Sequence, residues 1–246
     1  FKKMASNTPW PIVGALGVLS GFVILSYYSV VAGWGMSYIF KSLNFTAESN
    51  FPQIFSAHIS SFTEPIIWHG IFMFLTIAVI GAGVVNGIQK LVKILMPILF
   101  GIIFLLIIRS VTLDGAAAGL SFYLKPDFSA ITFQTFTDAI SQAFFTLSLG
   151  MGVMITYGSY LSENESINES AAFVLVFDTL VALLAGFAIF PAVFAFGLDP
   201  ASGPGLTFIT LPAVFTQMPF GSFFSLIFFL LLTIAALTSS ISMLEV

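Results

Sequence analysis

Asp178 is the only Asp, Glu, Lys or Arg well inside any long apolar run of this chain. A carboxylate at that depth costs a few kcal/mol unless it meets a cation, a partner or water. It could act as a cation ligand or a proton acceptor. The less favoured alternative is a hydrated structural carboxylate, about two turns beyond the polar stretch SENESINES, Ser162 to Ser170. A second unusual segment reads FFTLSLGMG, Phe144 to Gly152, inside a charge-free run from Ala139 to Ser162. Its middle holds Ser148, Gly150 and Gly152, and glycine in a helix interior costs roughly 1 kcal/mol relative to alanine. An unwound backbone is tolerated at membrane depth only where it is buried in protein or lines a cavity. The break therefore predicts a solute site of the kind found in secondary transporters.

The stretch AALTSSISM, Ala235 to Met243, sets Ala235, Thr238, Ser239 and Ser242 on one helical face. Hydroxyls and carbonyls there would seat a hard cation such as Na⁺. Small residues on one face also serve close helix–helix packing, the commoner use in membranes. Tyr27 and Tyr28 lie mid-run, too deep for an interfacial aromatic belt. A buried phenol needs a hydrogen-bond partner, so one of them either closes a polar site or bonds a neighbouring carbonyl. Ile24 lies one turn from Tyr28 on the same face.

Enzyme chemistry finds no foothold. No glycine-rich phosphate loop, HExxH, GxSxG or CxxC occurs. The absence of cysteine excludes disulfides, thiolate metal sites and cysteine nucleophiles. His58 and His69 do not form a metal-ligand pattern. The chain is expected to be no enzyme and to use no organic cofactor.

The elements that hold these residues follow from hydropathy. Hydrophobic residues are 58% and charged residues 7%, with a mean hydropathy of +1.07. A soluble domain carries about 25% charge and could not hide this much apolar surface. The net charge of −4 offers no basic patch for nucleic acid. The expected partners are the lipid bilayer and a small solute. Residues 1–246 read as one all-α, multi-pass transmembrane domain with six spans, about 11–40, 65–85, 91–111, 138–161, 171–196 and 222–244. We label them A to F. Span C holds Pro97, which should kink or locally open it; span D is the interrupted one. Residues 197–221 carry Pro200, Pro204, Pro212 and Pro219, too many breakers for a span, and are expected to fold as an extramembrane hairpin.

Lys2, Lys3, Lys90 and Lys93 fall on one side, against Lys41, Lys125 and Arg109 on the other. The positive-inside rule then puts the N-terminus and the turn between spans B and C in the cytoplasm, consistent with a plasma (inner) membrane protein. No signal peptide is visible. The chain begins with Phe1 and stops directly after an apolar run, as expected of part of a longer protein.

In this order and spacing, SYYSVVAGW (Ser26 to Trp34), FFTLSLGMG, GPGLTFITLP (Gly203 to Pro212) and AALTSSISM resemble the neurotransmitter:sodium symporters, particularly bacterial amino-acid members. The four strings resemble that family's third helix, sixth helix, fourth extracellular loop and eighth helix. Spans A to F would then be helices three to eight of a twelve-helix protein with the inverted-repeat, LeuT-type fold, the handed-down form of midplane binding at broken helices.

The resemblance implies roles residue by residue. Tyr28 resembles the tyrosine that meets the substrate carboxylate, Ile24 an apolar wall, and Phe145 an aromatic lid. Ser148 and Met151 flank the unwound stretch that contacts the substrate, and Ser239 and Met243 complete the pocket. Thr146 and Asp178 match the first sodium site; Ala235, Thr238 and Ser239 match the second. Ser159 and Tyr160 resemble an intracellular gate, with Tyr28 and Phe145 closing the outer side. The family's broken first helix, which supplies much of the coordination, has no counterpart in this chain.

Two departures matter. The position of Asp178 is often asparagine in the family, and Ala182 replaces the serine that chloride-dependent relatives use, although Gln142 is retained. The Asp178 carboxylate is therefore expected to stand in for chloride. The resemblance implies sodium-coupled symport of a hydrophobic or aromatic amino acid by alternating access, with Na⁺ as coupling ion. A proton-coupled carrier of the same fold and a non-transporting membrane scaffold are the alternatives. Nothing in the sequence sets the oligomeric state.

Overall fold

The computed structural model describes residues 9–83, 88–162, 164–198, 200 and 203–246. Lys2, Lys3, the end of span B at Val85, the turn residues Asn86 and Gly87, Glu163 of SENESINES, and Asp199, Ala201 and Ser202 of the hairpin lie outside the described residues. Helices make up the regular structure, and no strand occurs among the described residues.

Span A is helix α1, Trp10–Lys41, started by a proline at its first turn and ended with Lys41 against the negative end of the helix dipole. A short helix α2, Phe51–Ser60, follows, its N-terminus capped by the Asn50 side chain accepting from the Gln53 N–H. Spans B and C are α3, Glu64–Gly81, and α4, Lys90–Val111, the latter running unbroken through Pro97. Helix α5, Ala116–Leu124, was not expected from the sequence. It fills the connection after α4 with small and apolar residues.

Span D is two pieces, α6, Phe133–Thr146, and α7, Val153–Gly158. The outer piece begins five residues before the expected Asp138, because Thr132 and Thr135 form a reciprocal capping box that satisfies the first-turn donors. Span E is α8, Ile167–Ala195, capped by Ser166. The expected hairpin holds a π-helical turn, Leu206–Thr210, that leads into α9, Leu211–Thr216. Span F is α10, Gly221–Leu244. Five helices, α1, α3, α4, α8 and α10, are each long and apolar enough to cross a bilayer. The sixth expected crossing falls on α6 and α7, neither of which is long enough alone.

Helix α1 packs against α10 and α3, while α4 and α5 pack on α8, and α10 also touches α3, α4 and α9. The main core joins Tyr38 of α1, Phe208 of the π turn, Leu211 and Phe215 of α9, and Phe228 and Phe229 of α10. The hairpin is thus anchored by aromatic and aliphatic burial rather than free in solvent, with Phe55 and Phe208 stacked at 5.4 Å.

Helix α2 is held by charge. Lys41 Nζ lies 2.7 Å from Glu64 Oε2, and the same oxygen takes the His58 Nδ1–H. This leaves His58 Nε2 buried, between the rings of Trp34 and Tyr38, without a hydrogen-bond partner among the described residues. Burial pushes the His58 pKa below its ordinary value, with the Glu64 hydrogen bond pulling the other way.

Two glycines decide how closely α5 meets α8. A Cβ on Gly119 would stand 2.4 Å from the Phe190 carbonyl oxygen, and one on Gly186 would stand 2.2 Å from the Tyr123 ring. Tyr123 lies in the notch at Gly186 and donates to the Leu183 carbonyl at 3.1 Å. Both substitutions to alanine must push the helices apart. Overpacking of this kind typically costs about 1–3 kcal/mol. Gly119→Ala and Gly186→Ala are each expected to lower the thermal unfolding midpoint of the detergent-solubilised protein. Gly101→Ala, where an added methyl meets nothing within 4 Å, is expected to hold or raise it.

Candidate functional site

The site begins with a backbone problem. Helix α6 stops at Thr146, and α7 does not start until Val153. Between them Ser148 takes a φ of 54°, Gly150 of 80° and Gly152 of 82°, all left-handed. Glycine adopts that region without penalty, but Ser148 does so as one of only two such non-glycine residues among those described. The Leu147, Ser148 and Leu149 N–H groups turn back to the carbonyls of Ala143, Phe145 and Phe144. The carbonyls from Thr146 to Gly150 accept no backbone hydrogen bond among the described residues. They are free acceptors inside an apolar helix, as a site for a cation or an ammonium group requires.

Helix α1 seats this break with glycine. A Cβ on Gly17 would lie 3.3 Å from the Gly152 nitrogen, and one on Gly21 would lie 3.4 Å from the Met151 carbonyl. An alanine at 17 would make the break give by a few tenths of an ångström, whereas a methyl at 21 would just touch it. Gly17 and Gly21 carry a sequence signal of their own, since small residues four apart in an apolar run mark close helix approach in membranes.

A cavity of about 260 Å³ opens at the break. Its walls are Tyr28 of α1, Phe145 and Thr146 at the end of α6, Ser148 and Met151 in the break, Asp178 of α8, and Ser239 and Met243 of α10. Pockets for drug-sized ligands run about 300–1,000 Å³, so this one suits a solute of single amino-acid size. Its walls divide chemically. Tyr28, Thr146, Ser148, Asp178 and Ser239 bring hydroxyls and a carboxylate, and Phe145, Met151 and Met243 bring apolar surface. Such a cavity can hold a zwitterion with a hydrophobic side chain, its charged end at the polar wall.

At the polar wall, Thr146 Oγ1 donates to Asp178 Oδ1 at 2.8 Å across 32 residues of sequence. The two thus present a hydroxyl oxygen and a carboxylate side by side, a donor set for a hard cation. Ile24 does not line the cavity. It is half-buried and packs behind it, against the cluster of Leu25, Met151, Val153 and Met243. Of the tyrosine pair, Tyr28 faces the cavity and Tyr27 is exposed.

The small-residue face of α10 divides too. Ser239 reaches the cavity, whereas Ala235 and Thr238 do not line it. Thr238 Oγ1 donates to the Ala235 carbonyl at 2.9 Å, so two hard oxygens stand together one turn away. At the other end of α7, Tyr160 donates to Glu245 Oε1, while the Ser159 hydroxyl turns back to the Thr156 carbonyl at 2.6 Å and bridges nothing. Glu245, directly after the last apolar run, had no local pattern to mark it as the partner of Tyr160.

The chain matches the model of the sodium:neurotransmitter symporter family over residues 53–246. It is 43% identical to YhdH, an uncharacterized sodium-dependent transporter of Bacillus subtilis, over all of this chain and 55% of that protein. It is 28% identical to the sodium- and chloride-dependent taurine transporter of Bos taurus, over 93% of this chain and 46% of that one. Its fold is similar to the crystal structure of MhsT in complex with L-phenylalanine, with a TM-score of 0.90 and 45% identity over 100% of this chain and 57% of MhsT. The chain spans about half the length of the curated relatives it matches. A broken helix walled by Tyr28, Asp178 and Ser239 and a match over most of its residues give one result: the chain belongs to the sodium:neurotransmitter symporter family.

Proposed function

We propose that this chain carries the central, site-bearing helices of a sodium-coupled amino-acid symporter that works by alternating access in the plasma membrane. The single observation that carries this reading is the cavity at the break of span D, where eight side chains from four helices and the break itself meet. In this reading α6 and α7 together form the sixth crossing, and the break is the midplane.

Tyr28 holds the substrate carboxylate, and the unpaired carbonyls and Ser148 hold its amine. Phe145 closes over the site. Met151, Met243 and Ile24 behind them form an adaptable apolar wall, suited to hydrophobic and aromatic side chains. The L-phenylalanine bound to MhsT, a structural relative, supports that substrate class. Thr146 and Asp178 take the first sodium ion, and Ala235, Thr238 and Ser239 the second. Ser159 and Tyr160 gate the cytoplasmic side. Sodium drives uptake by binding the substrate-ready state better than the alternatives, the differential affinity that coupling requires.

Asp178 also bears on anion dependence. Its carboxylate stands 2.8 Å from the Thr146 hydroxyl and supplies fixed negative charge next to the proposed ion. Ala182, one turn later on α8, has no hydroxyl to offer a chloride. Transport therefore needs no chloride, unlike that of the taurine relative, whose name gives it as sodium- and chloride-dependent.

Two measurements on the complete transporter in proteoliposomes test this. Asp178→Ala and Thr146→Ala should raise the sodium concentration for half-maximal uptake by about tenfold or more, since losing a hydrogen bond or contact to a charge costs roughly 1.5–3 kcal/mol. Unchanged sodium activation would remove them from the ion site, and uptake driven by a pH gradient in sodium-free buffer would make Asp178 a proton carrier. Replacing chloride with gluconate should leave uptake of leucine or phenylalanine unaltered; a strong fall would refute chloride independence.

A further inference from the structure

Helix α7 is only six residues long, too short to hold its place by propensity. Its contacts with α10 must fix it. At its start, a Cβ on Gly152 would stand 2.6 Å from Val246 Cγ1, so the break lies directly on the chain just beyond α10. Near its end, the partly buried Tyr157 hydroxyl lies 2.7 Å from Ser242 Oγ, across 85 residues of sequence. Ser242 has one proton, and its Oγ is 3.1 Å from the Thr238 carbonyl. Ser242 therefore donates to Thr238, and Tyr157 donates to Ser242. Thr238 in turn donates to the Ala235 carbonyl at 2.9 Å. Three hydrogen bonds run in one direction from α7 into the turn of α10 that carries the hydroxyl face.

We infer that Tyr157 is a positioning residue that fixes the Ala235–Thr238 turn of α10 through Ser242 and ties it to the inner half of the interrupted helix. The inference rests on the reading of that turn as a sodium site. Tyr157 touches neither the cavity nor the Thr238 hydroxyl. It acts by setting the Ser242 rotamer, which orients the Thr238 carbonyl and the turn above it. Ser242 shares the face with Ala235, Thr238 and Ser239, and its role is to receive this bond rather than to touch the ion. Tyr157→Phe would keep the ring packed against the cluster of Leu25, Met151, Val153 and Met243 and delete only the hydroxyl.

The test uses the complete transporter with Tyr157→Phe, Ser242→Ala, the double variant and Ser242→Thr. Two quantities are read for each: the sodium concentration for half-maximal binding of labelled substrate, and substrate Kd at saturating sodium. Each single variant is expected to raise the sodium requirement about two- to tenfold, the range of one hydrogen bond. Substrate Kd at saturating sodium should stay within about twofold. The double variant should be no worse than the worse single, since both delete the same link, and Ser242→Thr should restore the wild-type requirement. Singles that leave the sodium requirement unchanged, or a double that multiplies their effects, overturn the inference while the symporter reading stands. Wild-type binding that ignores sodium overturns both.

Discussion

A helix that stops halfway through an apolar run strands its backbone polar groups where water cannot reach them, and each costs several kcal/mol unless something satisfies it. The gap between Thr146 and Val153 is such a place, and the surrounding helices answer it. Gly17 and Gly21 let α1 lie against the break, and Asp178 meets Thr146 from α8. Ser239 and Met243 close the remaining side from α10. The carbonyls that find no donor among the described residues are then the ones left for a solute and its ions. A defect in regular structure thus becomes one wall of a cavity whose other walls come from α1, α8 and α10.

The same constraint explains why the break is held at both ends. Its outer end belongs to α6, a capped helix of ordinary length, and its inner end to α7, one and a half turns long. The inner piece takes its position from Tyr157, Tyr160 and the Gly152–Val246 contact, all against α10 or the residues just after it. Because α10 also carries Ser239 and the Ala235–Thr238 pair, the break and the hydroxyl face are parts of one unit. Away from the site, the Gly119–Gly186 interlock sets α5 on α8, the helix that carries Asp178.

What was legible in the sequence were residues that violate the rules of an apolar span. Asp178, the glycines of FFTLSLGMG, mid-span Tyr28 and the hydroxyl run of α10 stand out because lipid-facing helices avoid them; Asp178, Tyr28 and Ser239 line the cavity, and the glycines shape the break beside it. Less legible were features set by tertiary contact. The start of α6 lay in a capping box of two threonines in a mixed loop, and α5 in a short stretch with weak periodicity. The Tyr157–Ser242 and Tyr160–Glu245 bonds join positions 85 residues apart, which no local pattern reveals. Gly17 and Gly21 could have been read from their spacing, but glycine in an apolar helix has many uses. Ile24 shares a face with Tyr28, yet packing turned it behind the cavity rather than into it.

The central claim is that the break is where an amino acid binds. Its most direct test is a structure of the complete transporter determined in sodium with L-phenylalanine. The account requires density for the amino acid in the cavity, its charged end between Tyr28 and the break and its side chain against Met151 and Met243. It also requires an ion in contact with Thr146 and Asp178. An empty cavity with the amino acid bound elsewhere would contradict it.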